Sequence, residues 1–320
     1  MEIIPINASG VIARAAKTLL DGHLVAFPTE TVYGLGADAT NEEAVSRIFA
    51  VKGRPSDHPL IVHIPSTNQL DIWARDIPDY ARALAKEFWP GPMTLVLKRN
   101  VVAKDFITGG QENVGLRIPS QSEALNLLNE FEKLGGFGIA APSANRFGAV
   151  SPTTAIAVKE ELGNFLDSKD LILDGGLCSI GIESTIINCT EVGPSILRSG
   201  AITKIMIEDF CDFKVSLPRA QSEIKSPGLL LSHYSPKAQV VLNEDAGTGD
   251  GFLAMTDIPT PNGALRLAAP TTIEDFARVL YSAFRLGDMK KLNRIVVFLP
   301  PGEGLIEAIK DRVTKAATSI

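Results

Sequence analysis

The stretch AFPTETVYGLGADATNEEAVSRIFAVKGRPSDHPLIVHI, residues 26–64, places a strand, a helix and a second strand around a group of polar and charged side chains. The first strand is predicted over residues 24–27, and Pro28 ends it because proline cannot donate a hydrogen bond to a sheet ladder. Thr40, with a glutamate three residues later, forms a capping-box pattern, and apolar residues then recur at helical spacing. The apolar run at residues 60–64 predicts a second, buried strand.

A K-x-R pair and two histidines lie near the end of this stretch. Lys52 and Arg54 follow the predicted helix, where they could simply complement the negative end of its dipole. His58 lies in the next turn, and His63 interrupts the second strand, where a lone histidine is more often part of the core. Their combination with a threonine-rich turn in one strand–helix–strand unit favours a binding site over separate structural roles.

The composition is that of an ordinary globular protein, with 45% hydrophobic and 21% charged residues. A net charge of −6 argues against a broadly basic surface, so stable nucleic-acid binding is not expected. The three cysteines form no C-x-x-C pair, which favours a reducing compartment. Because the N-terminus lacks the pattern of a signal peptide and no apolar run approaches the roughly 20 residues of a membrane span, we expect a cytoplasmic protein without a membrane partner.

The pattern of elements predicts two α/β domains joined by a linker. Residues 1–212 hold many short strands and helices without strict alternation, which predicts a domain with a twisted, mixed open sheet. Residues 213–237 are polar, contain proline and lack periodicity, so we expect an interdomain linker. Residues 238–320 alternate strands with two long helices, which predicts a small, Rossmann-like parallel α/β domain.

Further polar side chains follow predicted strands in the first domain. Arg117 lies near the end of a strand at 114–120, and a turn forced by Pro142 presents Ser143 and Asn145. Small hydroxyl and amide groups suit hydrogen bonds to phosphate or ribose, although serine and asparagine are also common turn residues. The chain has no glycine-rich phosphate loop, and its histidines are not at zinc spacing. Any ATP site must therefore be built from scattered cations and hydroxyl groups.

The segment PTETVYGLGADA, followed by KGRPSDHPLIVH, resembles the YrdC-type catalytic domain of the L-threonylcarbamoyl-AMP synthases. The SPG…HYSP linker and the segment GEGLIEAIKDRVTKAA extend the resemblance to the long, two-domain form, in which we expect the linker at 213–237 to close over the active site as a lid. The resemblance implies a YrdC-like fold and a nucleotidyltransferase that joins L-threonine, bicarbonate and ATP into L-threonylcarbamoyl-AMP and pyrophosphate. It also implies Mg²⁺ held through the ATP phosphates, a role in threonylcarbamoyladenosine (t6A) modification of tRNA, and transient hand-over to a tRNA threonylcarbamoyl-transferring complex.

The resemblance also implies roles for individual residues. The K-x-R and S-x-N elements are expected to be catalytic: Lys52, Arg54, Ser143 and Asn145. Nucleotide contacts are expected at Arg54, His58, Ser143, Ser151, Arg198 and Tyr234. Threonine contacts are expected at Thr31, His63, Arg117, Ala141 and Ser184. Two departures stand out: His58 replaces the asparagine usual in the family, and the linker reads PGLLLS before HYSP.

Two other functions are compatible with parts of the sequence. One is a carbamoyltransferase that uses a related YrdC-like domain and carbamoyl phosphate, although such proteins usually carry additional modules. The other is a non-enzymatic RNA-binding module, against which the acidic charge balance speaks. Omitting single substrates separates the first alternative from a synthase, and a salt titration of RNA binding tests the second.

Overall fold

Two β-sheets organise the protein, one of ten strands and one of four. The structure is a computed structural model that describes residues 2–211, 213–216 and 234–318. The first sheet, with its helices, is called the N-terminal unit here, and the second, with its helices, the C-terminal unit. None of the described helices has both the length and the apolar character required to cross a membrane.

The sheet of the N-terminal unit is mixed. Its strands are β1 (Ile3–Pro5), β2 (Val25–Phe27), β3 (Gly34–Asp38), β4 (Ile61–His63), β5 (Met93–Lys98), β6 (Asn113–Arg117), β7 (Ile139–Ala140), β8 (Leu171–Asp174), β9 (Thr185–Asn188) and β10 (Ser195–Arg198). Their order is β1-β8-β2-β3-β7-β4-β6-β5-β9-β10. Parallel pairs such as β4 with β6 alternate with antiparallel pairs such as β2 with β3, so the predicted mixed sheet is confirmed.

Helices cover the two faces of this sheet because successive strand residues point to opposite sides. The helices are α1 (Val11–Leu20), α2 (Glu42–Lys52), α3 (Leu70–Trp73), α4 (Asp79–Phe88), α5 (Asp105–Thr108), α6 (Ser122–Lys133), α7 (Ala155–Leu162) and α8 (Lys204–Phe210), with a 3₁₀ turn at Thr67–Gln69. Phe27 of β2 packs in a core cluster with α1 and α6. Its neighbour Ala26 packs in a second cluster, which includes Ile48 of α2 and Leu84 of α4.

The C-terminal unit is a smaller layer of parallel strands with helices. Its elements are β11 (Gln239–Leu242), β12 (Gly251–Leu253), β13 (Leu265–Ala268), α9 (Ile273–Met289), β14 (Arg294–Val297) and α10 (Leu305–Ala317). All strand pairs are parallel, in the order β11-β14-β12-β13. Phe276, Leu280 and Phe284 recur at helical spacing on α9 and are fully buried. The predicted parallel α/β fold of this part is confirmed.

Some local predictions were wrong. Helix α2 begins one residue later than the capping-box pattern predicts, because Asn41, and not Thr40, is the N-cap and accepts the hydrogen bond from Ala44 N. The Thr40 hydroxyl instead donates to Asp38 Oδ1 at 2.7 Å. Strand β3 was not predicted; its sequence contains glycine and aspartate, which are rare in strands. Residues 217–233, which make up most of the predicted linker and lid, lie outside the described residues.

Candidate active site

A deep pocket lies against one face of the ten-stranded sheet. Val62 of β4 packs in the core cluster beneath α2 and α4, whereas its neighbours Ile61 and His63 point to the opposite face and line the pocket. Eleven of the thirteen residues predicted for the site line this pocket. They are Thr31, Lys52, Arg54, His63, Arg117, Ala141, Ser143, Asn145, Ser184, Arg198 and Tyr234.

Strand pairing explains why residues distant in sequence meet here. His63 and Arg117 are direct partners in the parallel pair of β4 and β6. Strands β9 and β10 are antiparallel, so the start of β9 lies beside the end of β10. Ser184, directly before β9, therefore lies next to Arg198. Gly34, at the start of β3, forms a bridge with Ser143 after β7. The site is therefore assembled by the order of the strands.

Lys52 joins the predicted K-x-R and S-x-N elements directly. It is the last residue of α2, and Gly53, in the left-handed region with φ 62°, turns the chain out of the helix. The Lys52 ammonium is 2% exposed and donates to the carbonyl oxygens of Ser143 and Asn145, each at 2.5 Å. Burial, together with the nearby charge of Arg54, lowers the pKa of Lys52 well below its usual value.

Arg54 and Asn145 bring unused hydrogen-bonding capacity to the pocket. Arg54 donates from one terminal nitrogen to Pro59 O at 2.9 Å, and the Asn145 amide nitrogen donates to Arg146 O and Ala149 O. Among the described residues, Arg54 Nε and Asn145 Oδ1 are buried and have no hydrogen-bond partner. Burial lowers the pKa of Arg54 to about 10, so the guanidinium remains charged near neutral pH. Such buried, unmatched polar atoms on a pocket wall point to a polar ligand.

Arg117 forms a second cationic centre, and each nitrogen of its guanidinium donates a hydrogen bond to a neighbouring group. Its guanidinium pairs with Glu30 at 2.6 Å and donates to Thr31 Oγ1 at 2.9 Å and to Gly91 O at 3.3 Å. A guanidinium has five N–H groups, and a two-pronged grip of Arg117 on a ligand carboxylate would use the two that remain, one on each terminal nitrogen. Glu30 also balances the charge of Arg117 in this buried setting, where both side chains are 5% exposed.

His63, beside Arg117, is a neutral contact. Burial and the charge of Arg117 lower the pKa of His63 to about 3. An imidazole with this pKa is too weak a base to accept a proton efficiently near neutral pH. His63 therefore suits hydrogen bonding and packing, and its ring lies edge-on to Phe27 with 6.3 Å between the ring centroids.

A hydroxyl and a guanidinium form the wall built by β9 and β10. Ser184 Oγ shares a hydrogen bond with Thr94 Oγ1 at 2.8 Å. Arg198 donates to Ser184 O at 3.0 Å and to Ser184 Oγ at 3.1 Å. Burial lowers the pKa of Arg198, and its charge stays within reach of a ligand because Arg198 lines the pocket.

Tyr234 closes the pocket from the chain that leads into the C-terminal unit. It is 1% exposed and adopts the left-handed region, with φ 64°, which is uncommon for a residue other than glycine. Its ring stacks on Tyr281 of α9, with 5.7 Å between centroids and 25° between the ring planes. The prediction that Tyr234 lies at the site agrees with this position, whereas the preceding His233 lies outside the described residues.

Two predicted nucleotide contacts, His58 and Ser151, are not on the pocket lining. The His58 ring lies edge-on to Phe147, a lining residue, at 5.4 Å between centroids. The Ser151 hydroxyl donates at 2.6 Å to Glu183, which does line the pocket. Each of the two is thus separated from the pocket by one side chain.

Sequence reasoning missed the acidic and C-terminal members of the site. Glu183 lines the pocket and contacts Tyr281 and Arg312 of the C-terminal unit. A usable signal existed for Arg312, because it lies on the apolar stripe of α10 between Ile309 and Val313, where a buried charge requires a partner. No local pattern identifies that partner, since more than a hundred residues separate it from Arg312.

Comparison with known proteins covers both units. The family model Sua5_yciO_yrdC, described as telomere recombination, matches residues 17–200, and the model for the threonylcarbamoyl-AMP synthase C-terminal domain matches residues 202–318. The threonylcarbamoyl-AMP synthases of Pyrococcus abyssi and Bacillus subtilis are each 38% identical over 96% of this chain, covering 94% and 92% of the relatives. The crystal structure of P. abyssi Sua5 complexed with L-threonine is similar with a TM-score of 0.89 and 37% identity, over 99% of this chain and 98% of that chain. Matched along nearly its whole length by models, relatives and fold, the chain belongs to the threonylcarbamoyl-AMP synthase family in its long, two-domain form.

Proposed function

We propose that this protein is an L-threonylcarbamoyladenylate synthase, a nucleotidyltransferase that makes threonylcarbamoyl-AMP and pyrophosphate from L-threonine, bicarbonate and ATP. The observation that carries the proposal is the charge of the pocket. Among the residues that the structure describes, four cationic side chains and a single carboxylate line it: Lys52, Arg54, Arg117, Arg198 and Glu183. All three substrates carry negative charge, so an excess of buried cations suits them together.

The two cationic centres suggest how the substrates divide the pocket. Arg117, Thr31 and His63 lie together and would hold threonine, with the remaining N–H groups of Arg117 donating to its carboxylate. Lys52 and Arg54 lie with the Ser143–Asn145 turn and would hold the phosphates of ATP. In this proposal Ala141 and Ser184 would contact threonine, and Arg198 and Tyr234 would contact the nucleotide.

This arrangement supports a two-step reaction. The neutral threonine amine attacks the carbon of CO₂ formed from bicarbonate by loss of water, and a carbamate forms as the nitrogen releases a proton; direct attack on bicarbonate gives the same carbamate with water as the leaving group. A carbamate oxygen then attacks the α-phosphate of ATP, and pyrophosphate leaves with the bonding electrons. Negative charge builds up on the phosphates in the second step, and Lys52 and Arg54 are placed to stabilise it. The two backbone carbonyls that hold the Lys52 ammonium fix its position before the substrates arrive.

Mg²⁺ held through the ATP phosphates would supply positive charge that stabilises the negative charge developing on them. The pocket residues fit a metal held mainly through the nucleotide. Glu183 is the only carboxylate on the described lining, and both of its oxygens already accept hydrogen bonds from Ser151, Tyr281 and Arg312. The proposal therefore assigns no protein carboxylate as a ligand of the metal.

The product would serve t6A modification of tRNA, passing transiently to a tRNA threonylcarbamoyl-transferring complex. This role comes from the family and not from a nucleic-acid surface on this chain, whose net charge is −6. Stable tRNA binding by the protein alone is therefore not part of the proposal.

Omission of single substrates tests the proposed function. Pyrophosphate should appear only when ATP, L-threonine and bicarbonate are all present, and the adenylate should be found by mass spectrometry. Lys52→Met should lower the rate by about 10²-fold, as expected for loss of a group that stabilises the transition state. Lys133→Met is the matched control, because Lys133 is exposed on α6 and pairs only with Glu130. Threonine-independent release of pyrophosphate, or turnover with carbamoyl phosphate in place of ATP, would contradict the proposal.

A further inference from the structure

Glu183 is an acidic residue on the wall of a pocket that, in the proposed reaction, binds the negatively charged ATP. It lies directly before Ser184 on the pocket wall and is 6% exposed. Burial alone would raise the pKa of Glu183, but the charges of Arg312 and Arg198 hold it at about 2. The side chain is therefore ionised near neutral pH, and ATP bound in this pocket would lie close to a buried carboxylate.

The C-terminal unit supplies the groups that hold this carboxylate. Arg312 of α10 is fully buried and donates from Nε to Glu183 Oε2 at 2.8 Å. A second nitrogen of the same guanidinium donates to Ser199 O at 2.9 Å. Tyr281 of α9 donates its hydroxyl to Glu183 Oε2 at 2.8 Å. Two helices of one unit thus converge on a pocket residue of the other.

The same two residues also support the tyrosine that closes the pocket. Tyr281 stacks on Tyr234, and the Arg312 guanidinium carbon lies 5.2 Å from the centroid of the Tyr234 ring. The ring is therefore held between an aromatic face and a cation, both from the C-terminal unit. Tyr234 is 1% exposed in this arrangement. Packing against these two side chains of the C-terminal unit therefore supports its left-handed backbone conformation.

We propose that Arg312 and Tyr281 are positioning residues for the nucleotide half of the active site. They hold the Glu183 carboxylate and offset its negative charge, which reduces its repulsion of the ATP phosphates, and they fix Tyr234 on the pocket wall. The inference deepens the proposed synthase function and rests on it. It gives the C-terminal unit a task in catalysis, although none of its helix residues lines the pocket.

Removal of the Arg312 charge tests this positioning role. Arg312→Met leaves Glu183 ionised without its main counter-charge, and the KM for ATP should rise about tenfold or more, while the KM for threonine changes by about twofold at most. The double variant Glu183→Gln/Arg312→Met removes both charges and should recover most of the lost ATP affinity. Tyr281→Phe conserves the ring and removes only one hydrogen bond, so it should fold even where Arg312→Met does not. Its KM for ATP should rise by a few-fold.

Arg285→Met is the matched control. Arg285 of α9 also crosses between the units, pairing with Glu161 at 3.1 Å and donating to Val150 O, but neither partner lines the pocket. This variant should lower the melting temperature while the KM for ATP stays unchanged. Equal rises in both KM values for Arg312→Met, a normal ATP KM in Arg312→Met or Tyr281→Phe, or no recovery in the double variant would overturn the inference. Failure of the unaltered protein to bind ATP in calorimetry would instead overturn the proposed function.

Discussion

At the scale of single residues, the pocket shows how several cations can share a buried space. Lys52 donates to two carbonyl oxygens, Arg117 pairs with Glu30, and Arg198 donates to Ser184. Each cation is thus held by a partner of its own before any ligand is present. Positions fixed in advance reduce the reorganisation needed when phosphate charge develops.

His63 gives a pH prediction at the same scale. Its pKa is lowered from 6.5 to about 3 in the folded protein, so between these values the unfolded chain binds more protons than the folded one. Stability should therefore be fully present above pH 6.5 and fall as pH decreases below it. For unliganded protein, the free energy of unfolding should fall by roughly 1 kcal/mol per pH unit from pH 6 to pH 5, measured by urea denaturation.

His63→Gln removes this titration and should flatten the slope over that range, whatever its effect at pH 7.5. Measurements stop at pH 5 because Glu183, with a pKa of about 2 in the folded state, adds its own loss of stability below its usual pKa of 4.5. An unchanged slope in His63→Gln would show that this histidine is not the group responsible.

The sequence predicted the cationic and hydroxyl residues of the pocket better than the acidic ones. Lys52, Arg54, Ser143 and Asn145 belong to short segments whose spacing is fixed, so a local pattern identifies them. Glu183 is positioned by partners in other elements, and its role appears only when β9 meets α9 and α10. Local sequence patterns do not encode contacts of that range.

At the scale of elements, β3 is a strand that the sequence did not predict, and its glycines explain why. A Cβ on Gly36 would lie 2.8 Å from Ile139 Cγ2, 2.8 Å from Phe27 Cε1 and 3.1 Å from Val25 O. The strand thus requires a residue without a side chain so that its neighbours can approach. The absence of a side chain at Gly36 both lowers its strand propensity and permits this tight packing.

Gly36→Ala should therefore lower the free energy of unfolding by about 1–3 kcal/mol, as overpacking does in well-filled cores. Gly115→Ala in β6 is the matched control, because its nearest neighbours would lie at 3.5 Å, an ordinary contact distance. Urea denaturation of both variants compares the two strands directly. Equal stability of the two variants would mean that β3 can shift to accommodate a methyl group.

At the scale of the whole molecule, buried charges tie the two units together. Unfolding one unit alone would leave Glu183 or Arg312 without its partner, and breaking one side of a buried ion pair is costly. Both tryptophans, Trp73 and Trp89, lie in the N-terminal unit, whereas α9 and α10 contribute helix to the C-terminal unit. Tryptophan fluorescence therefore reports unfolding of the N-terminal unit, and circular dichroism reports the loss of helix in both units.

The two signals should give coincident urea transitions in the unaltered protein, as expected for a single cooperative change. In Arg312→Met the transitions should separate, because the buried ion pair between Glu183 and Arg312 is lost. Separate transitions in the unaltered protein would show that the interface does not couple the units.

The dependence of Glu183 on Arg312 also has a consequence for biosynthesis. About 130 residues separate the two positions, so at roughly 5–20 residues per second the ribosome needs on the order of ten seconds to add the second after the first. During that interval the N-terminal unit can fold around a carboxylate that still lacks its arginine. The nascent enzyme would therefore mature late, gaining a working nucleotide wall only when α10 docks.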